Sequence, residues 1–164
     1  MKVWLITIAL MLSAAAAFQP AMPNPKLTPG AITNETAAQL CNKSFHTGSV
    51  RNVPESEKCK VFALYGISCY PCGRSGPTVH TSSVARCGAY EVDHLISLEI
   101  GGSNDIANLL PEPYEKPGIP IGARHKDKLE NYLHRQVCAG KLTLPAAQRE
   151  IATDWYGVYR RMEK

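Results

Sequence analysis

The stretch Tyr90-Glu91-Val92-Asp93-His94-Leu95-Ile96-Ser97-Leu98-Glu99-Ile100-Gly101-Gly102-Ser103-Asn104-Asp105-Ile106-Ala107-Asn108-Leu109-Leu110-Pro111 decides how the rest of the chain is read. Glu91-Val92-Asp93 alternates polar and apolar residues, as a short half-buried strand does. An acid and a histidine stand side by side at its end. Gly101-Gly102 can supply the positive φ that a tight reversal needs. Asn108 then opens a second apolar piece. A reversal at the glycines carries Asn108 back toward Asp93 and His94, so a carboxylate, an imidazole and a carboxamide are expected to share one small volume.

The 164-residue chain begins Met1-Lys2, continues with an apolar run over 3–12 broken by Thr7, and reaches Ala14-Ala15-Ala16-Ala17. That order reads as a secretory signal peptide over 1–17, cleaved near Ala17. The apolar run is shorter than the ~20 residues of a spanning helix. The mature protein is therefore expected to be secreted or periplasmic, monomeric and without a membrane partner. What remains suits one domain with its own core. The formal charge of +4 permits a polyanionic partner but does not identify one.

Six cysteines, Cys41, Cys59, Cys69, Cys72, Cys87 and Cys138, all follow the leader. An even number in an exported chain argues for disulfides. Cys69 and Cys72 with His80 and Cys87 also fit a zinc-binding pattern. A thioredoxin-like reading of Cys69-x-x-Cys72 lacks the surrounding βαβ pattern. Residues 18–32 hold Pro20, Pro23, Pro25 and Pro29 and read as an extended leader with little structure. Thr33 or Asn34 caps a short helix ending about Leu40, where Cys41 can pin it. A second helix begins at Pro54 and ends at Gly66. Residues 68–88 form a Cys-rich insertion. Leu129, Leu133 and Val137 recur at intervals of four, predicting a helix over 125–139 with Gly140 after its end. Thr143 caps a last helix whose apolar stripe is Ala147, Ile151, Trp155 and Val158.

Asp93-His94, Gly101-Gly102 and Asn108-Leu109, taken in this order, resemble the HNH endonuclease family. His125 with Lys128 resembles that family's last motif element, 17 residues after Asn108. The resemblance covers about 89–140 and implies a ββα-metal core. The fold expected is α+β: one small disulfide-stabilised domain over 33–164, with helices packed around a hairpin and helix. The activity implied is metal-dependent hydrolysis of DNA, and also RNA, with low sequence specificity, because no sequence-reading module is visible.

Phosphodiester hydrolysis needs an activated water and stabilisation of the charge that builds on the phosphate. A neutral imidazole of pKa ~6.5 suits the first task, which makes His94 the candidate base. A divalent metal supplies the second, and Asp93 is its candidate ligand. Asn108 either binds the metal, orients His94 or ties down the loop. From the helix, His125 matches by motif, while Glu130 and His134 share one face at i and i+4 and offer an alternative. Lys126, Lys128 and Arg135 are candidate phosphate contacts, as is Arg51 if its helix abuts the site. An oxygen-rich site favours Mg²⁺ or Mn²⁺, and a His-rich one Zn²⁺ or Ni²⁺. The competing readings are a catalytically silent binding protein on the same scaffold and a disulfide-rich structural protein.

Overall fold

The computed structural model describes residues 22–70, 72 and 85–164. The expected signal peptide and most of the 68–88 insertion, His80 included, lie outside them. Among the described residues the chain is a mixed α/β protein with helices α1 (Ala37–Leu40), α2 (Thr47–Val50), α3 (Glu55–Leu64), α4 (Ala123–Cys138) and α5 (Leu144–Met162). A short parallel pairing joins β1 (Cys69–Tyr70) to β2 (Ala85–Arg86), and β3 (Tyr90–His94) runs antiparallel to β4 (Leu109–Pro113). No helix there is long and apolar enough to cross a membrane.

The hairpin forms where its sequence pattern places it. In the β3–β4 register Asp93 faces Leu110 and His94 faces Leu109. The loop between them turns at Gly101, which sits at φ +78. Gly102 is required for a different reason: a Cβ there would lie 1.7 Å from the Ile96 carbonyl oxygen. Asn108 draws the two ends of this loop together, as described below.

Two cores flank the hairpin. On one side Leu129, Leu133 and Val137 of α4 meet Ala147, Ile151, Trp155 and Val158 of α5, with Ile96 and Ile100 of the site loop packed among them. Each such buried side chain contributes roughly 1.5–3 kcal/mol by leaving water. On the other side Val61 and Phe62 of α3 pack on Val92 and Leu109. The site loop is thus wedged between α4 and the hairpin. In α5, Asp154 departs from helical geometry at φ −158 and ψ 65, and its carboxylate accepts from Gly157 N at 2.9 Å, restarting the helix beyond the kink.

Several helix boundaries shift from expectation for local reasons. The first helix is capped by Thr36, because Thr36 and Gln39 close a reciprocal capping box there. Pro54 caps α3, and Gly66 follows its end at φ +65. Helix α2 was not expected; its four residues carry no apolar periodicity.

The Pro-rich segment keeps an irregular backbone yet is not a loose leader over the described 22–32. Thr28 is 1% exposed, and its hydroxyl donates to the Leu109 carbonyl at 2.8 Å. Gly30 N donates to Ala107 O at 2.9 Å, and Ile32 bridges to Gly102. The segment packs because these bonds satisfy backbone groups of the site loop that a solvated leader would leave open.

Disulfides join Cys41 to Cys138 and Cys59 to Cys72, and Cys87 is likewise disulfide-bonded. The side chain of Cys69 lies outside the described residues. The Cys41–Cys138 bond spans 97 positions and ties α1 to the end of α4. In the chain-entropy account, a loop of that length is worth about 4–5 kcal/mol.

Candidate functional site

Asp93 and His94 end β3 and line one cleft of about 240 Å³ with Glu99, Asp127, Glu130 and Arg51. Residues adjacent on a regular strand point to opposite faces. His94 escapes that rule by being the last residue of its strand, where the chain turns into the site loop. Helix α4 crosses beneath and supplies Asp127 and Glu130.

His94 is 1% exposed. Its Nε2 lies 3.1 Å from Asn104 Oδ1. The orientation of that amide is set independently, since Asn104 Nδ2 donates to Val50 O at 2.8 Å and Oδ1 accepts from Asn52 N at 3.0 Å. Oδ1 is therefore an acceptor, and Nε2 must carry the proton. In the neutral ring Nδ1 then holds the free lone pair, and it has no hydrogen-bond partner. Burial pushes the His94 pKa below the ordinary histidine value, against the opposing pull of Asn104 and Asp93. The imidazole is poised neutral, with Nδ1 as its basic atom.

Beside it stands a charge cluster centred on Lys126, whose side chain has 0% exposure. Its ammonium donates to Asp93 Oδ2 at 2.6 Å and to the His94 carbonyl at 2.6 Å. It also pairs with Glu130, and Glu112 Oε2 lies 3.9 Å away. Burial alone would raise the Asp93 pKa, but the charge and hydrogen bond of Lys126 hold it below the usual carboxylate range. Lys126 shifts upward, because its acidic neighbours outweigh its own desolvation. The other carboxyls are pushed the opposite way. Glu130 rises to about 8 through burial and the nearby Asp93, despite Lys126. Glu112 rises well above its ordinary value for the same reasons. Burial also raises Glu99 and, with repulsion from Asp93, Asp127. One ammonium does not neutralise this many carboxylates.

Asn108 has 0% exposure and all its polar capacity is used inside the protein. Its Oδ1 accepts from Ile96 N at 2.9 Å and Ala31 N at 3.4 Å, and its Nδ2 donates to Ile96 O at 3.0 Å and Ser103 O at 2.8 Å. Of the roles open from sequence, it performs the loop-tying one, and no lone pair is left facing the cleft.

The helix candidates separate. Glu130 lines the cleft; His125 and His134 do not. His125 Nδ1 meets Glu115 Oε1 at 2.7 Å, and its ring packs edge-on against Tyr159, on the side of α4 turned from the cleft. His134 Nε2 lies 3.3 Å from both the Leu40 carbonyl oxygen and Cys138 Sγ. Cys41, His134 and Cys138 hold their ligand atoms within 4.8 Å of one another. The two sulfurs are joined, however, and a disulfide offers no thiolate to a metal. Among the cations, Lys126 is an internal counterion, Lys128 and Arg135 are exposed outside the cleft, and Arg51 lines it.

Residues that the sequence reading left unassigned complete the picture: Asn104 orients His94, and Glu99, Glu112 and Asp127 add carboxylates. Lys126 had a usable signal. It precedes Leu129 by three and Leu133 by seven, which puts it on the buried stripe of α4. Comparison of the chain with protein-family models, with curated proteins and with solved structures returns no match.

Proposed function

We propose that this chain is an exported, metal-assisted phosphodiesterase of the HNH type, acting on nucleic acid with His94 as general base. The observation that carries the reading is the cleft itself. A buried imidazole whose Nδ1 has no hydrogen-bond partner belongs to a residue lining the same cleft as Asp93, Asp127, Glu130 and the cation Arg51. The disulfides support an oxidising compartment.

The cleft lining is rich in carboxylate oxygens, although among the described residues no three acidic side chains bring them within 4.8 Å of one another. Glu99 Oε2 is buried without a partner, and the surplus negative charge would repel a bare phosphate. Asp93, Asp127 and Glu130 are the cleft carboxylates that would hold Mg²⁺ or Mn²⁺, in competition with Lys126 for Asp93 and Glu130, with waters completing the shell. Such an ion supplies Lewis-acid stabilisation of the phosphoryl oxygens and of the leaving oxygen. The chain's own groups do the rest. His94 Nδ1 takes the proton of the attacking water, while Asn104 holds the ring in the tautomer that leaves Nδ1 free. Lys126 fixes Asp93 and the His94 carbonyl, keeping acid and base in register. Arg51, exposed at the rim, meets the phosphate backbone.

Nicking of supercoiled plasmid by the mature protein tests this. Cutting is expected with Mg²⁺ or Mn²⁺, lost with chelator, and reduced about 10²–10⁴-fold in His94→Ala at an unchanged fold, the range a positioned base contributes. Full activity in that variant, or cutting indifferent to chelator, would remove the assignment.

A further inference from the structure

A second cleft, of about 310 Å³, adjoins the first, and Arg51 lines both. Its walls include three aromatic rings, Tyr90, Tyr114 and Phe62, among charged side chains such as Lys58, Glu55 and Glu91. Phe62 is buried and meets the Tyr90 ring edge-on at 6.1 Å and 68°, which holds that ring in place. Tyr114 follows the end of β4 and lines the cleft beside Glu91. Both tyrosines remain partly exposed. Two half-open rings beside a carboxyl and a guanidinium make a seat for a flat heteroaromatic group carrying an adjacent negative charge.

We infer that this cleft takes one unstacked base of a single-stranded nucleic acid, stacked on Tyr114 and Tyr90, while Arg51 contacts the phosphate leading into the catalytic cleft. The inference rests on the nuclease reading for its substrate. Tyr90 and His94 are the two ends of β3, so four residue steps, ~13 Å, separate the two positions. A strand with a phosphate at His94 therefore carries a nearby base to the second cleft. A duplex cannot use the seat, because its bases keep their faces on their neighbours. Glu91 adds an acceptor able to meet an exocyclic amine.

Fluorescence anisotropy on the inert His94→Ala background tests this, using a labelled single-stranded octanucleotide and its duplex. Base–aromatic stacking is worth about 1–3 kcal/mol, so Tyr114→Ala is expected to raise the single-strand Kd about 10- to 100-fold. Tyr114→Phe, which keeps the ring, should bind as the parent does, and duplex affinity should not move. Tyr90→Ala should repeat the effect, its fold checked by urea unfolding. An unchanged single-strand Kd in Tyr114→Ala, or equal weakening of single strand and duplex, overturns the inference. The two readings fail separately. Protein that binds single strands through Tyr114 yet never cuts with Mg²⁺ or Mn²⁺ keeps the seat and loses the nuclease. Protein that cuts while Tyr114→Ala leaves both affinities unmoved keeps the nuclease and loses the seat.

Discussion

Replacing Lys126 with methionine keeps the length of the side chain and removes the one buried ammonium. The Lys126–Asp93 contact at 2.6 Å is worth about 6 kcal/mol of attraction at an effective dielectric of ~20. Desolvation of the buried ions offsets much of this, so the expected net loss on removing one partner is about 3–5 kcal/mol. The loss depends on pH, and its sign follows from Asp93. Its folded pKa is depressed, so its stabilisation is present above the ordinary carboxylate range and disappears as pH falls through the lower folded value. Without Lys126, Asp93 joins Glu112 and Glu130 as a buried acid that favours its proton, and folding then weakens as pH rises. Urea unfolding of both proteins near pH 5 and near pH 8 should therefore show a small deficit at the lower pH and the full one at the higher. Adding Asp93→Asn to Lys126→Met should recover part of the deficit, since the two residues are in direct contact. A deficit below about 1 kcal/mol and constant with pH would refute the idea that Lys126 is the counterion of this cluster.

Two further outcomes follow from the same geometry. The pH profile of kcat/KM, at saturating metal, should rise with pH as His94 loses its proton, with its acid inflection below the usual histidine value because burial disfavours the charged ring. Asn104→Leu removes a bond that favours the charged ring, so it should move that inflection lower still while slowing cleavage; an inflection above the ordinary value sinks this account. Asn108→Ala should cost about 2–5 kcal/mol in urea unfolding, because truncation orphans buried backbone groups of residues 31, 96 and 103. Metal affinity per folded molecule, measured by calorimetry, should stay the same, and a large loss there would return Asn108 to the ligand set.

The parts of this fold that could be read in advance are those in which one local rule decides the outcome. Strand alternation at Glu91-Val92-Asp93, the glycine reversal and the leucine spacing of α4 each act over a few residues, and the structure has a hairpin and a helix there. Placement of side chains around the helix was less accessible. His125 and Lys126 are neighbours in sequence, and a motif comparison favours the histidine; the apolar register of α4 instead turns the lysine into the site and the histidine toward Tyr159. The packing of 22–32 could not be read because its bonds reach across the chain, from Thr28 to Leu109 and from Gly30 to Ala107. Asn104 was hidden similarly: a polar residue in a polar loop gains a role only once Val50 and Asn52 are brought beside it.

The contrast between Asn108 and its neighbours bears on whether the cluster is structural or functional. A polar cluster kept for stability alone satisfies its buried atoms, because each unpartnered one costs about 1–3 kcal/mol. Asn108 behaves in that way, with oxygen and nitrogen fully paired. His94 Nδ1 and Glu99 Oε2 do not: each is buried without a hydrogen-bond partner, and both residues line a cleft where carboxylates outnumber cations. Glu130, pushed up to about 8 by burial and by nearby Asp93 despite Lys126, holds its proton at neutral pH. Binding of a divalent cation would release that proton and offset the surplus charge. Pairing within the fold accounts for Asn108, while unpartnered buried atoms occur also at Glu35, Glu115 and Trp155, outside the cleft. On the proposed reading, the cation and the water of phosphodiester hydrolysis would meet the atoms left open at His94 and Glu99.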